Sequence, residues 1–90
     1  MIYVNLKTME LKEIREQIIS LVKDHFKDAG KEIDASTTSA DIPGWNSLMH
    51  VMLISRIEQE LAIKFDLLQM IDMKSVEDIA RAADALINSK

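Results

Sequence analysis

From Met9 to Ala29 the apolar residues Leu11, Ile14, Ile18, Leu21, Val22, Phe26 and Ala29 recur at steps of three and four. That spacing predicts one long amphipathic helix, with Lys12, Glu13, Arg15, Glu16, Lys23 and Asp24 on its wet face. Gly30 is placed to stop it, because a residue without a Cβ enters the left-handed conformation at little cost. A chain of 90 residues has room for one domain and one modest core, so this helix has to find its partners nearby. With two glycines, one proline and four aromatic residues in all, turn formers and strand-favouring clusters are scarce. The remaining partners should therefore be helices as well.

They are readable in outline, without internal repeats or low-complexity segments. Residues 31–46 lack periodicity and are rich in Ser36, Thr37, Thr38, Ser39, Asp41, Pro43 and Gly44, which predicts a loop. A loop this long is unusual in a compact domain and is often functional; Ile33, Ile42 and Trp45 are the residues to pin it to the core. A second helix should open at Asn46–Ser47, both good cap residues, and run to about Leu61. A short apolar piece follows from Leu67 to Met73, with Asp66 as its cap. Ser75 opens a last helix with the buried stripe Val76, Ile79, Ala83, Leu86 and Ile87, and Ser75 with Asp78 resembles a capping box. The expectation is an all-α bundle of three longer helices and one short third helix, with a long loop between helices one and two.

Composition narrows the function. Apolar residues at 48% and charged residues at 29% are an ordinary balance for a folded domain. The formal charge of −4 gives no electrostatic reason to hold a nucleic acid. The absence of cysteine removes disulfides and thiolate chemistry. No stretch approaches the ~18 apolar residues of a membrane span. Residues 1–8, with Ile2, Tyr3, Val4 and Leu6, lack a basic start and a long apolar run, and read as an N-terminal extension and not a signal peptide. A cytoplasmic location, no membrane association and a monomer are expected.

The second helix carries more apolar surface than one core stripe needs. Leu53, Ile54, Ile57 and Leu61 form that stripe, and Leu48, Val51 and Met52 lie beside it near the helix start. Either the helix is buried almost all round, or a second apolar face is left for a partner. A bundle this small favours the second.

The most informative stretch is Gly44-Trp45-Asn46-Ser47-Leu48, where the long loop meets the helix. It resembles the attachment motif of the acyl carrier and peptidyl carrier proteins, usually Asp-Ser-Leu. The resemblance extends to the first helix, to Ile33-Asp34 and Ala40-Asp41-Ile42 in the loop, to the short third helix, and to the closing Ser75-Val76-Glu77-Asp78-Ile79-Ala80. It implies an acyl-carrier-like four-helix bundle over residues 9–90 that is not itself an enzyme. It also implies covalent 4′-phosphopantetheine on Ser47, flanked by Asn46 and Leu48. The arm would bear an acyl or related cargo as a thioester. Leu48, Met49, Val51 and Met52 would form the partner surface. The implied partners are a phosphopantetheinyl transferase and the enzymes that load and unload the arm. Two departures stand out. Asn46 replaces the acidic residue of the motif. Met49, His50, Val51 and Met52 stand where carriers of fatty acid synthesis bear several acidic residues, which points to a dedicated biosynthetic pathway.

Other readings stay beside this one. Ser47 would serve equally as a plain helix cap. Ser47 and His50, three residues apart, invite a hydrolase reading, but there is no Gly-x-Ser-x-Gly elbow and no orienting acid. His25 reads as a helix-face residue, His50 as half-buried beside Leu53 and Ile54, and Trp45 as a structural cover for the loop–helix junction. Met70 and Met73 read as core filler, and Glu58/Glu60 and Glu77/Asp78 as solvated pairs. The histidines and carboxylates have no metal-ligand spacing. A degenerate carrier fold, never modified and acting only by protein–protein contact, remains open, as does an aminoacyl or D-alanyl cargo.

Overall fold

The computed structural model describes residues 9–30 and 32–88. The N-terminal extension proposed for residues 1–8 and the side chain of Ala29 lie outside it. Among the described residues there are four helices, α1 (Leu11–His25), α2 (Ser47–Leu61), α3 (Leu67–Asp72) and α4 (Val76–Ile87), with single 3-10 turns at Lys27–Ala29 and Ser39–Asp41. The all-α expectation of three longer helices and one short one holds. Among the described residues the only β-type pairing is an isolated bridge between Thr38 and Ser75.

The core is where the periodicities meet. Ile14, Ile18 and Val22 of α1, Leu53, Ile54 and Ile57 of α2, and Val76, Ile79, Ala80 and Ala83 of α4 are fully buried. Burial of the valine, leucine and isoleucine side chains among them contributes about 1.5–3 kcal/mol each before entropy is charged against it. Helix α1 packs chiefly on α4 and also on α2. Leu61, Leu86 and Ile87 are half-buried against this cluster, while Ala80 joins it unforeseen.

The first helix ends earlier than its periodicity predicts. Phe26 leaves helical geometry at φ −117°, ψ 38°, and the chain tightens into the 3-10 turn before Gly30 closes it at φ 70°. The ring of Phe26 is buried and stacks on Trp45 with centroids 5.1 Å apart, so the break serves the junction with the loop.

The loop is pinned as expected by Ile33, Ile42 and Trp45, and by buried Thr37 as well. It also finishes α4. Val76 and Glu77 donate their first-turn N–H groups to the carbonyls of Thr37 (2.9 Å) and Ala35 (3.0 Å), groups a helix start otherwise leaves unpaired. Ser75 caps α4 by accepting from the Asp78 N–H at 3.0 Å. The box is not reciprocal, because the Asp78 carboxylate accepts from Lys74 N–H and not from the cap residue. Helix α3 does have a reciprocal box, Asp66 with Gln69, and ends at Asp72 with Met73 buried as its C-cap.

In each of the two charged pairs read as solvated, one member is structural, while Glu60 and Asp78 are exposed as expected. Glu58 accepts from the Phe65 N–H at 2.8 Å across the α2–α3 turn. Glu77 takes Arg15 of α1 and Arg81 of its own helix, both at 2.7 Å.

Candidate functional site

Gly44 adopts φ 92°, a conformation other residues resist, and swings the chain so that Asn46 falls into extended geometry as the N-cap of α2. Its Oδ1 accepts from the Met49 N–H at 2.9 Å, and its carbonyl accepts from the His50 N–H at 2.8 Å. Ser47 is therefore the first residue inside the helix and not its cap, and it is exposed. Its hydroxyl stands at the positive end of a 15-residue helix whose first turn holds no acidic residue. The N–H groups of Ser47 and Leu48 precede the first intrahelical bond. A phosphodiester on this hydroxyl would meet donors and a favourable dipole there, so the residues present fit such a group.

Behind Ser47 runs a chain of rings. Phe26 stacks on Trp45, and Trp45 stacks on His50 with centroids 6.0 Å apart. Trp45 Nε1 donates to His50 Nδ1 at 2.9 Å, and His50 Nε2 lies 3.0 Å from the carbonyl oxygen of Met70 in α3. An indole nitrogen only donates and a carbonyl only accepts, so these partners assign the proton to Nε2. Both ring nitrogens are thereby engaged, and no lone pair is left to take a proton from Ser47; the hydrolase reading ends here. Trp45 is the structural cover expected. His50 is half-buried as expected, with Trp45 and α3 as its hydrogen-bonding partners.

The apolar surplus of α2 is on the surface. Leu48, Val51 and Met52 are exposed, whereas Met49 is half-buried and packs against the core. Helix α3 adds Leu67, Leu68 and Ile71, and these six, 49–74% accessible, are the large exposed hydrophobics among the described residues. The α3 group was missed in the sequence. Its signal is there in hindsight: in a six-residue helix only Met70 packs against the core, which leaves Leu67, Leu68 and Ile71 without a place inside. The strip Leu48, Val51, Met52, Ser55 and Gln59 on α2 is uncharged. Of that helix's three charged residues, Arg56 is bonded to Asp24 of α1 at 2.7 Å and Glu58 to Phe65, leaving Glu60.

Among the described residues no group of three His, Cys, Asp or Glu is placed to hold a metal, and no helix is long and apolar enough to cross a membrane. A search of curated proteins gives no match. The family model for the phosphopantetheine attachment site matches residues 16–83, which takes in most of α1, the loop, α2, α3 and most of α4. The chain accordingly belongs to the family of phosphopantetheine-bearing carrier domains, whose members hold 4′-phosphopantetheine covalently on a serine and leave catalysis to the enzymes that visit them.

Proposed function

We propose that Ser47 is the attachment site and that the chain is an acyl carrier for a specialised biosynthetic pathway, not for housekeeping fatty acid synthesis. The observation that carries the first half is the position of Ser47: an exposed hydroxyl at the opening of α2, released from capping by Asn46. In the reaction the Ser47 oxygen attacks the pyrophosphate phosphorus of coenzyme A that bears the pantetheine. The P–O bond to the adenosine bisphosphate breaks, that nucleotide leaves, and the serine proton passes to a base of the transferase. Once bound, the arm supplies a terminal thiol that takes cargo as a thioester. The domain itself supplies a tether, which keeps the cargo at high local concentration around its partners.

The second half rests on the neighbourhood. Leu48, Val51 and Met52 of α2 give partner enzymes an apolar, uncharged face where an acidic one would suit basic partners, and α3 exposes Leu67, Leu68 and Ile71 in addition. Loading and transferring enzymes of matching apolar surface fit this reading, as does a cytoplasmic location.

Intact mass after incubation with coenzyme A and a broad-specificity transferase tests the assignment. The chain should gain one phosphopantetheine, and Ser47→Ala should gain none while its melt stays within about 0.5 kcal/mol of the parent's stability, since the cap is Asn46. Modification persisting in Ser47→Ala would move the site elsewhere. No modification of the parent would favour the unmodified interaction module, to which Asn46 in the motif already lends some weight.

A further inference from the structure

Helix α3 has six residues, too few to be stable by its own hydrogen bonds. Its N-terminal box is internal, between Asp66 and Gln69. At its other end the Met70 carbonyl is one of the last four, which a helix leaves without intrahelical donors. The Met73 N–H reaches it only at 3.4 Å. The closer donor is His50 Nε2, at 3.0 Å. Among the described residues this is the one hydrogen bond that ties α3 to another helix. Through Nδ1 the same ring holds Trp45, which is buried against Phe26 at the end of α1. His50 sits on the first turn of α2, three positions after Ser47. One imidazole thus joins the serine-bearing helix start, the loop and the short helix that carries half of the exposed apolar side chains.

We propose that His50 is a positioning residue that fixes α3 against the start of α2, three residues from Ser47, so that Leu48, Val51 and Met52 and Leu67, Leu68 and Ile71 present one surface that the phosphopantetheinyl transferase acting at Ser47 reads as a unit. The functional half of this statement rests on Ser47 being the attachment site; the structural half does not. A partner that needs both strips would bind weakly to a domain whose α3 wanders, even with every surface side chain intact, because α3 would have to be ordered at the moment of binding.

Two substitutions separate the two bonds of the ring. In His50→Asn the side-chain oxygen overlays Nδ1 and keeps the bond from Trp45, while the reach to Met70 is lost. In His50→Gln the amide nitrogen overlays Nε2 and keeps the bond to Met70, while the bond from Trp45 is lost. Amide hydrogen exchange of the full chain and the indole N–H resonance of Trp45 read the outcome without any modification. His50→Asn should speed exchange in α3 by roughly five- to tenfold, the worth of one hydrogen bond, with α1 and α4 unchanged and the indole resonance in place. His50→Gln should leave α3 protected and shift the indole resonance, and Trp45→Phe should leave α3 protected likewise. The imidazole nitrogen shifts of the parent should be those of the Nε2–H tautomer. A ring that merely filled space would give both His50 variants the same uniform loosening, and that result, or unchanged exchange in α3, overturns the proposal. With transferase and coenzyme A, His50→Asn should raise KM several-fold at unchanged kcat. Unchanged KM beside a loosened α3 overturns the claim that the surface is read as one. A parent that is never modified sinks the assignment of Ser47 and leaves the exchange test standing.

Discussion

Arg15 and Glu77 meet through two parallel hydrogen bonds, Nε to Oε1 at 2.7 Å and Nη2 to Oε2 at 2.9 Å, and bind the second turn of α1 to the first turn of α4. The bonds from Arg15, helped by the charges of Arg15 and Arg81, hold the Glu77 carboxyl below its ordinary 4.5 despite partial desolvation. The folded state thus favours the carboxylate. The stabilisation is complete above the unfolded glutamate's pKa and is lost as pH falls through the depressed folded value. Glu77→Gln should be less stable than the parent at pH 7, and the gap should close as pH drops below 4.5. Urea midpoints from neutral to acid pH measure this; a gap independent of pH would show that the ion pair contributes nothing.

Asn46 gives α2 its cap, so Asn46→Ala should cost about 1 kcal/mol, read as a lower urea midpoint. Asn46→Asp keeps the acceptor for the Met49 N–H and adds a negative charge at a helix start, worth about 0.3–1 kcal/mol at low salt. It should also speed modification by a transferase that serves Asp-Ser-Leu carriers, because a charge complementary to a basic group mainly raises the association rate. That gain should fade with salt. Equal rates for both proteins at low salt would show that the transferase ignores this position.

Ala62 closes α2 at φ 57°, ψ 46°, the left-handed region, and is exposed there. Its neighbour Ile63 donates back to the Glu58 carbonyl at 3.1 Å, so the conformation is held by the bond that ends the helix. Ala62→Gly removes the Cβ penalty and loses some advantage in the unfolded chain. The net should be a gain of about 0.5–1 kcal/mol, or about 3–6 °C in Tm for a domain of this size. A Tm that falls would mean the penalty at this turn is smaller than the entropy lost with alanine.

The parts of the fold legible in the sequence were those governed by local rules. The start of α2 at Asn46–Ser47, the cap at Asp66 and the stripe of α4 follow from cap chemistry and helical spacing, and each stands in the structure. The early end of α1 was hidden because Phe26 keeps the helical step in sequence while its ring is drawn to Trp45, nineteen positions on. The roles of Glu58 and Glu77 were hidden for the same reason: their partners, Phe65 and Arg15, lie across a turn and across the bundle. At the candidate site, the place of Ser47 at the opening of α2 and the exposed α2 face were legible. The link from His50 to the Met70 carbonyl was not, because nothing in a sequence marks which backbone oxygen a histidine will reach.

Met52 and its neighbour Leu53 decide the docking argument together. Leu53 is fully buried between the helices, and Met52 is 49% accessible beside the stripe. Leu53→Ala should therefore cost about 2–5 kcal/mol, the usual loss for a truncated core leucine. Met52→Glu should stay within about 1 kcal/mol, since glutamate is nearly as good a helix former and the side chain gives up little buried area. Loading should respond in the opposite way. Glutamate at this position would have to be desolvated against a partner's apolar surface, so loading by the native enzyme should drop at least about tenfold, the equivalent of about 1.4 kcal/mol. Leu68→Glu on α3 should do the same if both strips belong to one surface. Enzymes that expect an acidic carrier should accept Met52→Glu better than the parent. Melts and loading rates of the three variants, taken side by side, separate the possibilities. Unfolding by Met52→Glu would make Met52 core. An unchanged melt with unchanged loading for Met52→Glu would place the partner elsewhere. Loss with Met52→Glu but not with Leu68→Glu would confine the partner to α2 and remove α3 from the surface.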